Sequence, residues 1–348
     1  MRPVAVFCRA FAASRHKVYA LCEQLYGKGS VDVYRCQGKL SDPEIADTDR
    51  EHIWTTAEEV IPALKQHQII HAFCDETALL LPLLKTGRKF VAHQPDVLTM
   101  RGAIDIGEAS VHMSDKTVSV FPSESCRKYM RKRLHLPKKD TYVFKAMPVL
   151  EWQPEVPKVP EEDRIPNSLV YAGYVTTDPA APNGFRYFGD IFRTIMEAGI
   201  HIYLMNAGEA VFPAVLEAYK GPGMTNLHIM VGKPYRELYA ELARYSVGFC
   251  AFTRPPELPD EVKEYGDISM PNKAFDYMFA GIPTLGMNIK EAAPYVNKWG
   301  KVVDDPDKLV ETFYEVQKMD IDYEGLRHEH CAESQREMLR EIHARVAE

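Results

Sequence analysis

Residues 271–288, PNKAFDYMFAGIPTLGMN, put a helix start, a cation and a carboxylate within one turn of each other. Pro271 suits the first helical position, where a missing amide hydrogen costs little. Asn272 and Lys273 then fall in the first turn, where free backbone amides and the helix dipole attract anions. Lys273 adds a full positive charge there, a suitable partner for a diphosphate. Asp276 shares their face through its three-to-four-residue spacing, so its carboxylate can accept from the hydroxyls of a ribose. Gly281 closes the helix and IPTLG enters a strand. An ordinary amphipathic helix also fits these residues, so the surrounding segments decide between the two readings.

A second constellation lies in FVAHQPDVLTMRG (90–102), where His93, Asp96 and Arg101 follow an apolar run that reads as a strand. A histidine or carboxylate in a loop there can act as base on a hydroxyl. A turn at Pro95 with a solvated Asp96 fits equally well. The basic run Arg127, Lys128, Arg131, Lys132, Arg133, Lys138 and Lys139 is interleaved with Tyr129, Met130, Leu134 and Leu136. Such a helix fits an anionic membrane surface, nucleic-acid phosphates or plain solvation. HEHC (328–331) has metal-ligand residue types but falls in a charged terminal helix, where a solvated face is the simpler reading.

Positioning these groups takes two rounds of strand and helix. In the first, the runs at 4–8, 31–36, 69–74 and 90–94 read as strands, with helical spacing at 14–27, 57–68 and 79–89. A strand at 117–123 and a helix at 126–136 complete that half. The second round has strands at 168–175, 201–208, 227–233, 246–252 and 282–288, with helices at 188–199, 235–245 and 271–281. The expected class is therefore α/β, with two Rossmann-like domains facing a central cleft. The boundaries read as a first domain over 1–150 and a proline- and acid-rich linker over 151–167. A second domain over 168–325 follows, then a helix over 326–348 packing back toward the first.

Bulk properties narrow the class. The chain has 348 residues, 46% hydrophobic and 26% charged, and no apolar run approaches the roughly 18 residues of a membrane span. Arg9 interrupts the early apolar stretch, so 4–7 reads as a buried strand and not a signal peptide. Seven dispersed cysteines without a CxxC pair read as reduced thiols of a cytoplasmic protein. The net charge of −7 argues against general affinity for nucleic acid while leaving room for a local basic face.

PNKAFDYMFAGIP resembles the PNKLFEYMAAGKPV stretch of GT-B-type, nucleotide-sugar-dependent retaining glycosyltransferases, with Asp276 replacing the usual glutamate. The likeness extends in family order over about 168–315 and is weak in the first domain. SLVYAGYV (168–175) resembles the opening strand and glycine turn, VGKPYRELYAEL (231–242) the G-x-x-P-Y-x-E-L segment near the nucleotide base, and KWGKVVDDPDKLVETF the later strand and helix. The resemblance implies a retaining transferase taking a UDP- or GDP-sugar as co-substrate, with no further cofactor. It implies that Gly173 and Tyr174 approach a phosphate, Arg186 stands beside the diphosphate, and Gly232 and Tyr235 lie near the base. Asn272, Lys273 and Asp276 complete the donor set, and HQPD resembles a variant of the family's H-D pair, which makes Asp96 and His93 the catalytic candidates. Glu108 matches a glutamate that relatives carry before their next strand, or is a helix-surface residue. Relatives that act on lipid-linked acceptors often dock through a basic surface of the first domain, so the enzyme is expected to be cytoplasmic and able to sit at a membrane.

Departures from the pattern mark what stays open. The position eight before Asp276 is Ile268, not the family's donor-sugar glutamate, and the neighbouring Asp267 is the substitute a loop could bring in. CRAFAASRH (8–16) replaces the first domain's glycine-rich turn, leaving Arg9, Arg15 or His16 to face the cleft. No DxD pair follows a strand, and Asp304 and Asp305 fall in another segment, so no metal is expected. The acceptor is open among polysaccharide, lipid-linked glycan and modified DNA base. A nucleotide-sugar epimerase and a non-catalytic nucleotide or glycan binder are the alternatives.

Overall fold

The computed structural model describes residues 2–10, 14–37, 49–74, 81–95, 106–137, 141–206, 212–219 and 226–347. Two compact units divide them: Met1–Val149 with Cys331–Glu348, and Leu150–His330.

The first unit is built on seven parallel strands: β1 (Val4–Cys8), β2 (Val31–Cys36), β3 (Glu51–Trp54), β4 (Ile69–Phe73), β5 (Phe90–His93), β6 (Thr117–Phe121) and β7 (Thr141–Val143). Their order is β3-β2-β1-β4-β5-β6-β7. Strands β1, β4, β5 and β6 are buried along their whole length, which is why they read as mostly apolar runs, broken by His71 in β4, His93 at the end of β5, and Thr117 and Ser119 in β6. The four residues of β3 and three of β7 carry no such run, and neither strand was anticipated from sequence. The terminal helix Arg336–Ala347 packs across β4, β5 and β6 within this unit, through Leu339, Ile342, His343 and Val346.

The second unit has six parallel strands: β8 (Ile165–Ala172), β9 (His201–Asn206), β10 (Leu227–Val231), β11 (Tyr245–Ala251), β12 (Thr284–Met287) and β13 (Gly300–Val303). Their order, β10-β9-β8-β11-β12-β13, is that of a doubly wound sheet. The chain leaves β8 toward one edge and returns to β11 on the other side. The crevice at the carboxyl ends of β8 and β11 is therefore the switch point, where such sheets bind ligands.

Two boundaries differ from the sequence reading. The stretch expected as a linker belongs to the second unit, and its last residues, 165–167, open β8. Val156 lies under Gly281, where an added Cβ would meet Val156 Cγ1 at 2.4 Å. The second unit also continues to His330, past the expected limit of 325. Arg327 explains this: it is fully buried, its guanidinium lies 4.9 Å from the Phe279 ring centroid, and it donates to the Gln153 carbonyl. Helix Tyr323–Glu329 is tied to the second core also through Glu324, which accepts from the Val156 amide at 3.0 Å.

Candidate nucleotide site and a buried histidine chain

Helix Asn272–Phe279 begins at the switch point of the second sheet, and Tyr277 fixes it there. The Ala172 amide donates to the Tyr277 hydroxyl at 2.9 Å, and that hydroxyl donates to the Phe249 carbonyl at 3.1 Å. One side chain thus ties the helix to both β8 and β11. Gly248 makes the room: a Cβ there would stand 2.3 Å from Tyr277 Cγ.

Held this way, the first turn lies beside the end of β8. Pro271 is the residue before the helix, and no side chain caps the amino end. Gly173 follows β8 with φ +146°, its amide donating to the Met205 carbonyl at 2.9 Å. Lys273 folds over this turn. Its ammonium lies 3.4 Å from the Tyr171 ring centroid and 3.1 Å from where a Cβ on Gly173 would be. Burial, together with the nearby Arg186 charge, depresses the Lys273 ammonium to about 7. Arg186 ends the turn Gly184–Arg186, packed on the Phe185 ring at 5.4 Å.

One turn along, Asp276 is 8% exposed. It accepts from the Tyr239 hydroxyl at 3.3 Å, and Tyr239 in turn is bonded to the Tyr235 hydroxyl at 2.5 Å. Each phenol has one proton, so the sequence Tyr235 to Tyr239 to Asp276 leaves every acceptor served. The Trp152 ring meets Tyr235 edge-on at 5.3 Å. Burial, then the neighbouring Tyr235 and Asp276, holds the Tyr239 phenol protonated.

The structure therefore brings Gly173, Arg186, Lys273, Asp276 and Tyr235 into one neighbourhood, with Asn272 half-buried at its rim. Tyr174 is 42% exposed beside Gly173, and Gly232 sits in the turn between β10 and helix Tyr235–Leu242. Asp267 is placed differently from the expectation of a loop residue. It lies in helical turn Tyr265–Ile268 and pairs with Arg254 at 2.7 Å. Tyr171, Tyr239 and Tyr277 went unrecognised in the sequence, although the four-residue spacing of Tyr235 and Tyr239 places both on one helix face.

In the first unit His93 is the last residue of β5 and 1% exposed, not a loop residue. Its Nδ1 lies 3.0 Å from His71 Nε2, and His71 Nδ1 lies 3.0 Å from His343 Nε2. His343 Nδ1 then meets the Tyr26 hydroxyl at 3.0 Å. Asp96 and Arg101 lie outside the described residues. Glu108 is buried, not on a helix surface, and accepts from the Gln94 amide at 2.7 Å. Arg15 lies with its guanidinium 5.2 Å from the Phe73 ring, and His16 is buried.

The basic helix runs Glu124–Leu134, burying Cys126 and Met130 and exposing Lys128, Lys132 and Arg133, while Lys138 and Lys139 lie outside the described residues. Residues 328–331 divide: Glu329 pairs with Lys298 at 2.5 Å, and His330 enters a cluster with Trp299 and Tyr295. Among the described residues no group of three His, Cys, Asp or Glu side chains is arranged to hold a metal ion. None of the described helices is long and apolar enough to cross a membrane.

No family model matches the chain, and no curated protein matches it in sequence. Solved structures do match in fold. A glycosyltransferase from Rickettsia africae ESF-5 superposes with a TM-score of 0.69 at 10% identity, over 99% of this chain and 98% of that one. An alpha-glucosyltransferase in complex with UDP and a 13-mer DNA containing an HMU base gives 0.66 at 10% identity, over 99% and 100%. Sucrose-phosphate synthase from Thermosynechococcus elongatus also gives 0.66 at 10% identity, over 99% of both chains. The fold is the two-domain α/β fold of GT-B glycosyltransferases.

Proposed function

We propose that this protein is a glycosyltransferase that moves a sugar from a UDP- or GDP-sugar to an acceptor hydroxyl. The observation that carries the reading is the Lys273 ammonium, poised over the glycine turn of β8 at an uncapped helix start, with the Asp276 carboxylate one turn on. Two phosphoryl groups fit the first turn, and the nucleoside ribose fits Asp276. As the bond between the anomeric carbon and the phosphate breaks, its electron pair goes to the diphosphate. Lys273, Arg186 and the helix amides supply the positive potential that stabilises this leaving group. An incoming diphosphate also raises the Lys273 ammonium from about 7, so the ligand completes the charge of its own site.

Structural neighbours support the reading at the level of chemistry. One is in complex with UDP-glucose and DNA containing an abasic site, another with UDP and glucose, and a third is involved in lipopolysaccharide biosynthesis. An anionic acceptor, such as a modified DNA base in its duplex or a lipid-linked glycan at a membrane, fits the exposed cations of helix Glu124–Leu134. The seven cysteines, none joined in a disulfide, fit a reducing, cytoplasmic setting.

The test is turnover. Incubation with a panel of UDP- and GDP-sugars should release nucleoside diphosphate with at least one donor, accelerated by the right acceptor. An epimerised donor recovered without release would replace transfer by epimerisation. A panel that is neither bound nor turned over would overturn the reading.

A further inference from the structure

Among the described residues Lys273 has neither an ion pair nor a hydrogen-bond acceptor. Its ammonium rests on the Tyr171 ring, 3.4 Å from the centroid, and 3.1 Å from where a Cβ on Gly173 would stand. The residue is half-buried, and Nζ is not among the buried, unbonded atoms of the described side chains, so the nitrogen still meets solvent. A lysine packed on apolar surface beside a second cation is the arrangement that turns an ammonium into a free amine, and a free amine is a nucleophile.

Each neighbouring element adds its own influence. Arg186, from the turn Gly184–Arg186, repels the ammonium. Asp276, on the same helix, attracts it, although that carboxylate also accepts from the Tyr239 hydroxyl at 3.3 Å. The Tyr171 ring, from β8, favours the charged form through its face. Cys250, from β11, would favour it only as a thiolate, and burial pushes that thiol up to about 12. Burial of Lys273, with Arg186, outweighs them and brings the ammonium to about 7. Near neutral pH about half of Lys273 is therefore free amine.

The same place suits a phosphate group. Helix Asn272–Phe279 starts without a side-chain cap, so its first amides are open to an anion, and Arg186 adds charge beside them. A nucleophile and a phosphate grip thus stand within one helical turn. A small molecule that carries a carbonyl next to its phosphate, held by that phosphate, brings an electrophilic carbon to Nζ.

We propose that Lys273 is an acylation site for small acyl phosphates, and that its acylation closes the donor site. The proposal rests on the phosphate grip of the sugar-transfer reading. The Nζ lone pair bonds to the acyl carbon, the bond from that carbon to the phosphate oxygen breaks, and its electron pair leaves with inorganic phosphate. The proton shed by Nζ goes to the departing phosphate. The product is a neutral amide, so the charge that Lys273 offers to a diphosphate is gone. A bound nucleoside diphosphate blocks the step in two ways. It occupies the phosphate grip, and it raises Lys273 back to the unreactive ammonium.

The test is acetylation of the full-length protein by acetyl phosphate, read by peptide mass spectrometry at Lys273 against the exposed Lys128 and Lys132. At about pH 7 a lysine titrating near 7 holds roughly a thousandfold more free amine than one at the ordinary value of about 10.4. Lower basicity weakens the nucleophile and offsets part of that gain, so Lys273 should react about tenfold or more faster than either surface lysine. Its rate should level off above about pH 8, while theirs climb toward about pH 10. The preference for Lys273 should shrink with p-nitrophenyl acetate, which carries no phosphate. Protein acetylated at Lys273 should bind its nucleotide about tenfold or more weakly. Even acetylation of the three lysines, the same preference with both reagents, or unchanged nucleotide affinity after acetylation would each overturn the proposal. A protein that turns over a donor and is acetylated evenly loses this site alone. A wild type that binds no nucleotide sinks the transfer reading and with it the closing of the donor site; the acylation site is still decided by the labelling, which needs no nucleotide.

Discussion

Lys273 rests its ammonium 3.4 Å from the centroid of the Tyr171 ring and 3.1 Å from where a Cβ on Gly173 would stand. The aromatic face holds the cation in place while it is desolvated, and an anion that reaches it meets a charge already oriented.

That contact makes Gly173→Ala a sharp probe. The added methyl would stand 3.1 Å from Lys273 Nζ in a backbone with φ +146°. Strain of about 1–3 kcal/mol is expected. Because Lys273 is the mobile partner, much of the loss should appear as weaker UDP binding, with a smaller drop in melting temperature. Calorimetric titration beside thermal denaturation reads both.

Tyr277→Phe should act on stability. It leaves the Ala172 amide and the Phe249 carbonyl without the hydroxyl that serves both. A loss of about 1–3 kcal/mol is expected in urea denaturation, with no new cavity to blame. A variant as stable as wild type would mean that the helix is held by its apolar face alone.

The depressed Lys273 has a pH signature. With its folded value at about 7 and its unfolded value near the ordinary 10.4, the unfolded chain binds more protons between those limits. Stability from this group therefore rises as pH climbs from about 7 toward 10, and its penalty is fully present below 7. Nucleotide binding restores the charge, so at pH 8 the complex should take up roughly one proton. Titration calorimetry in buffers of different ionisation heat counts it. Lys273→Met should abolish the uptake.

The grouping of the candidate donor residues was legible because they lie within one helical turn, where spacing alone sets the face. Asn272, Lys273 and Asp276 needed only a helix to be neighbours. What supports them was not legible. Tyr171 and Gly248 matter through β8 and β11 meeting one helix, strands that precede it by about a hundred and about thirty residues. The histidine chain is more extreme, since Tyr26, His71, His93 and His343 are separate in sequence and sit among ordinary core patterns. His93 read as a loop residue because HQPD looks polar, whereas β5 extends through it and buries its ring between Phe73 and Phe144. The acidic, proline-rich stretch read as a linker for its composition, and Val156 and Gln153 show that it packs on the second core.

Affinity for UDP and GDP in wild type, Lys273→Ala and Asp276→Ala tests the site most directly. One nucleotide should bind wild type, and each substitution should cost about 1.5–3 kcal/mol, roughly ten- to a hundredfold in Kd, with the fold intact by circular dichroism. Equal affinities across all three proteins would contradict a phosphate grip at this helix start and a ribose on its carboxylate.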